Sequence, residues 1–69
     1  MSIEERSKLE ELIQEARKAA SVCWTLIDAM RADGLDETYP NTVWVIGDKL
    51  DDIEEELSAM LNRALHEES

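Results

Sequence analysis

The stretch Ala32-Asp33-Gly34-Leu35-Asp36-Glu37-Thr38-Tyr39-Pro40 decides how this chain folds. Gly34 suits the left-handed position just past a helix C-terminus, and Leu35 can then close a Schellman turn back onto Met30. Pro40, which has no N–H to donate, belongs in the first turn of a new helix, with Thr38 or Tyr39 as the expected cap. A stop signal and a start signal therefore lie a few polar residues apart. The reading is an all-α antiparallel hairpin in one domain, residues 1–69: a helix over about 3–33, a turn at 34–39 and a return helix over about 40–66.

Outward from the turn, both flanks carry one helical period. Ser2 with Glu5 reads as a capping box, with the hydroxyl accepting from the glutamate's amide while the carboxylate reaches back to the cap. Leu9, Leu12, Ile13, Ala16, Ala19, Ala20, Cys23, Leu26, Ile27 and Met30 then occupy positions a, d and e of a continuous heptad frame. On the other flank Val43, Ile46, Leu50, Ile53, Leu57, Met60, Leu61 and Ala64 repeat it.

One hairpin cannot satisfy this pattern. Of residues 16–30, ten are apolar, including Val22, Trp24 and Ala29 outside the main frame, and a single neighbouring helix cannot cover them all. A chain of 69 residues is also short of core, since domains of this size bury only about 60% of their unfolded surface. Its one cysteine excludes an internal disulfide. Ala16, Ala19, Ala20, Cys23, Leu26 and Ile27 against Ile46, Leu50, Ile53 and Leu57 would make alternating small and large layers. The expectation is a homodimer in which two hairpins form a four-helix bundle.

Little in the chain points to chemistry. Cys23 sits at an a position among alanine and leucine and reads as a small buried hydrophobe. His66 lies in the last turn, where a cation suits the helix dipole. The residue three before it is Arg63, so the Glu-x-x-His pattern of di-iron bundles is missing. No nucleophile elbow or phosphate-cradling glycine loop accompanies the serines and threonines. No catalytic group, metal or cofactor is expected.

Charge is more informative. Seventeen acidic and seven basic side chains give a net charge of -10. That excess opposes direct binding to nucleic acid or an anionic membrane and favours a basic protein partner. Asp48, Asp51, Asp52, Glu54, Glu55 and Glu56 crowd one part of the second helix, with Lys49 the nearby opposite charge. Four of them, Asp48, Asp51, Asp52 and Glu55, share an outward face. Such a face either serves solubility or meets a basic partner. Trp44 heads it one turn earlier, as an aromatic anchor or as packing beside Trp24. Tyr39, amid Asp33, Asp36 and Glu37, either staples the second helix or forms another aromatic patch among acids. Gly47 inside that helix implies a close approach, by the first helix or by a partner.

The short acidic two-helix layout, the turn Asp33 to Pro40 and the following Asn41-Thr42-Val43-Trp44-Val45-Ile46 resemble the quorum-sensing anti-activators encoded by Pseudomonas temperate phages. The resemblance runs over the whole chain. It implies a helical dimer that binds the DNA-binding domain of a quorum-sensing transcription activator and also inhibits a type IV pilus assembly ATPase. It implies the bacterial host cytoplasm as the location, consistent with an acidic N-terminus and the lack of a spanning apolar run. Tyr39 and Trp44 would be the anchors, with Asp48, Asp51, Asp52 and Glu55 steering encounter. Two alternatives stand beside it. One is a DNA-mimic or anti-CRISPR-type inhibitor of a nucleic-acid-handling protein. The other is a structural or regulatory bundle dimer that binds RNA, which would need a basic face where this chain has only Arg17 and Lys18 together.

Overall fold

A computed structural model describes residues 1–68; its described residues form two helices and no strand. Helix α1 spans Ile3–Ala32 and helix α2 spans Thr38–Glu68, folded as a hairpin with extents of 52 × 15 × 11 Å.

The α1 terminus is the Schellman turn that the sequence implies. Leu35 N–H donates to Met30 O and Gly34 N–H to Arg31 O, each at 3.1 Å, with Gly34 at φ +72°. Helix α1 therefore ends at Ala32, with Asp33 as its cap, one residue before the expected boundary. Helix α2 starts earlier than expected, and its cap is neither Thr38 nor Tyr39. The Asp36 carboxylate accepts from Thr38 N–H at 2.9 Å, and Asp36 O accepts from Tyr39 N–H at 3.0 Å. An Asx turn thus satisfies amides that would otherwise be orphaned. It also places the fully buried Pro40 within the first turn. At the other end Ser2 Oγ accepts from Glu5 N–H, but the glutamate carboxylate accepts from the serine hydroxyl instead of the backbone N–H, so the box is not reciprocal.

Within the heptad frame the hairpin buries positions a and e and leaves d out. On α1 the buried residues are Leu9 and Ala16 at a, with Ile13, Ala20 and Ile27 at e; Cys23 and Met30 at a are half-buried. On α2 Val43, Leu50, Leu57 and Ala64 at a are half-buried, while Pro40, Gly47, Glu54 and Leu61 take the e positions. The d residues stay open: Leu12 and Leu26 are each 43% exposed, and Ile46, Ile53 and Met60 are 49%, 48% and 49% exposed. Ala19, also at d, is half-buried. Thus the residues expected to form one core divide. Ala16, Ala20, Cys23, Ile27, Leu50 and Leu57 close the hairpin, while Leu26, Ile46 and Ile53 remain on its surface.

Two contacts fix the register of the arms. Trp24 lies over Gly47, where a Cβ would come within 2.8 Å of the indole, and Arg17 pairs with Glu54 seven residues further along each arm. Gly47 is therefore approached by α1. Trp24, expected outside the main frame, belongs to the seam.

Candidate partner-binding surfaces

The same register sets Leu12 level with Met60, Ala19 with Ile53 and Leu26 with Ile46. At 100° per residue, each d row stands about 80° away from the a/e seam. Both helices are right-handed and they run in opposite directions, so this equal offset turns the two rows to the same side of the hairpin. One broad side is consequently apolar along its length. Around the outer back of α1 an uncharged strip continues, where Ser21, Val22, Thr25, Leu26 and Ala29 line a shallow depression.

The α2 carboxylates lie toward the other side, which α1 shares through its b row of Glu10, Arg17, Trp24 and Arg31. Trp44 and Asp51 at b, and Asp48 and Glu55 at f, stand about 80° to 120° from the seam in the opposite sense to d. Asp52 at c points away from α1 altogether. Trp44 is 50% exposed, and the four carboxylates of the outward face are all exposed, as read from their sequence spacing. Glu54, crowded among these carboxylates in sequence but outside their face, turns into the seam as a half-buried side chain and accepts from Arg17 Nε. The acidic face thus presents an indole above carboxylates and has the chemistry of a docking surface for cations, with Trp44 able to stack on a guanidinium.

Tyr39 does not join that face. It is 59% exposed and falls seven residues before Ile46, in line with the d row at the hairpin tip. Trp44 is about 140° away around the same helix. The level opposite Tyr39 is Asp33, the cap of α1, so the apolar side ends there in a polar rim with Asp36 and Glu37. Asp36 is held below its ordinary carboxyl pKa of 3.8, first by the hydrogen bond from Thr38 N–H and then by the Thr38 side chain.

Leu12 and Met60 were not among the expected interface residues, although their spacing of seven from Ala19 and Ile53 places them in the exposed rows. Cys23 is half-buried in the seam. Among the described residues, no group of three or more His, Cys, Asp and Glu side chains could hold a metal ion, and no helix is long and apolar enough to cross a membrane. Comparison with protein-family models, curated proteins and solved structures returns no match.

Proposed function

We propose that this chain is a non-enzymatic inhibitor of the anti-activator type, a homodimeric four-helix bundle that occupies the DNA-binding surface of a bacterial transcription activator. The observation that carries this reading is the half-exposed Trp44 at the head of the Asp48, Asp51, Asp52 and Glu55 face, on the side away from the apolar rows. A bundle that closes over the d rows keeps both copies of this acidic face outside. A DNA-binding domain is basic where it meets phosphate, so the acidic face competes for the same surface without contacting DNA. Indole anchors contribute most where they become fully desolvated, while exposed carboxylates act mainly on encounter. The location that follows is the cytoplasm of the bacterial host.

The test is a competition between this protein and DNA for the purified DNA-binding domain of a quorum-sensing activator. Added protein should release the DNA, and no ternary complex should form. Trp44→Ala should weaken binding by about 2 kcal/mol or more with helicity and melting unchanged. A supershifted protein–activator–DNA complex would contradict occlusion.

Tyr39 supports a second surface. Its position at the tip, in a different row from Trp44, fits separate use by a second partner such as a pilus assembly ATPase. Tyr39→Ala should then abolish binding to one partner and spare the other. Loss of stability together with both activities would return the aromatics to the core.

A further inference from the structure

The apolar side has charged borders, and these discriminate between the two ways in which two copies can meet across it. Position g flanks d on the outer edge of each arm. It holds Lys8, Glu15, Val22 and Ala29 on α1, and Thr42, Lys49, Glu56 and Arg63 on α2. Lys49 and Glu56 bracket Ile53, lining one shallow depression with it and Asp52, and Glu56 and Arg63 bracket Met60 in the same way.

A two-fold axis along the hairpin would place both tips at one end and lay α1 of one copy on α2 of the other. The register then sets Glu15 against Glu56 and Lys8 against Arg63 of the second copy, and crowds Asp33, Asp36 and Glu37 of both tips. Every one of these juxtapositions is between like charges, which disfavour an arrangement. An axis across the hairpin, centred near Ile53, instead lays α2 on α2 and α1 on α1 with the tips far apart. Ile53 then meets its own copy, Ile46 meets Met60, Leu12 meets Leu26, and Ala19 meets Ala19, where the small side chains let the backbones approach. On the border, Lys49 comes opposite Glu56 of the second copy, and the symmetry makes that pair twice; the same register sets Asp33 level with Glu5 of the second copy, so the like charges of this arrangement lie at its two ends.

We infer that the occupant of the apolar side is a second copy of this chain laid head to tail, with Lys49 of each copy against Glu56 of the other. The inference rests on the dimeric reading above and specifies its geometry. Size agrees with it: a side of 52 by 15 Å offers on the order of 800 Å² per copy, the area of a standard stable interface.

Sedimentation equilibrium of the full chain and of charge variants tests the arrangement. Glu56→Lys and Lys49→Glu should each raise the dimer Kd roughly ten-fold, because two attractive pairs become repulsive, and the double exchange should restore it. In the tips-together arrangement Glu56→Lys would face Glu15 and tighten the dimer, which would overturn the inference. A second measurement avoids charge: in a Cys23→Ala background, Ile53→Cys should cross-link the dimer through a disulfide upon mild oxidation. A stable dimer that Ile53→Cys does not cross-link would overturn the head-to-tail geometry while leaving the dimer intact. A monomer at micromolar concentration would remove the dimeric reading itself.

Discussion

Gly47 and Trp24 form a matched pair, and the match has a sign that can be measured. Alanine at position 47 would ordinarily gain up to about 1 kcal/mol of helix propensity. Here its Cβ would meet the indole at 2.8 to 3.0 Å, so the rigid ring or the whole seam must shift. Gly47→Ala should therefore destabilise by about 1–3 kcal/mol, the usual cost of overpacking. In a Trp24→Ala background the same substitution should become stabilising, and a double-mutant cycle in urea would show the reversal. Asp36 offers a second residue-level test. Its folded carboxyl lies below 3.8, so its capping contribution is complete above about pH 4 and is lost as pH falls through the lower folded value. Asp36→Asn keeps an oxygen acceptor at every pH. The melting temperature of the parent protein should therefore fall relative to that of the variant as pH drops below about 4, with no such divergence near neutrality.

At the scale of the helices, each arm is held by positions a and e, and the two arms lock through Trp24–Gly47 and Arg17–Glu54. The ion pair is partly exposed, with side-chain exposures of 58% for Arg17 and 23% for Glu54. Solvent screens such a pair, so its coupling in an Arg17→Ala, Glu54→Ala cycle should stay below about 1 kcal/mol and shrink with added salt. Its value is in register: a slip by one residue would part Trp24 from Gly47 as well. The seam itself is less forgiving. Ile27→Asp would bury an unpaired carboxylate at a site only 4% exposed, and circular dichroism should show the helices lost at every protein concentration.

At the scale of the molecule, the hairpin is a flat object with unlike sides, apolar on one and carrying the α2 carboxylates with their indole on the other. A bundle that stabilises itself by association should melt at a temperature that rises with protein concentration. Ile53→Asp, placed at a half-exposed d position, should remove that dependence and give a lighter species in light scattering, in contrast to the seam variant. Trp44→Ala should do neither, since its side of α2 faces away from the d rows. The three substitutions thus separate folding, association and partner binding.

What the sequence alone determined is local in origin. Gly34, Leu35 and Pro40 impose a stop and a start whatever surrounds them, because positive φ and a missing N–H are properties of single residues. The heptad spacing of the apolar residues follows from the helix period in the same way, as does the shared outward face of Asp48, Asp51, Asp52 and Glu55. The frame did not show how its three apolar positions would be divided. A hairpin offers each helix one neighbour, and only the tertiary register shows that a and e take it while d is left over. That register depends on contacts between residues far apart in the chain, Trp24 with Gly47 and Arg17 with Glu54, which no local period encodes. It set Glu54 against Arg17 in the seam, left the row of Tyr39 and Ile46 exposed, and turned Trp44 to the opposite side, because antiparallel right-handed helices bring equal offsets from the seam onto one side of the hairpin.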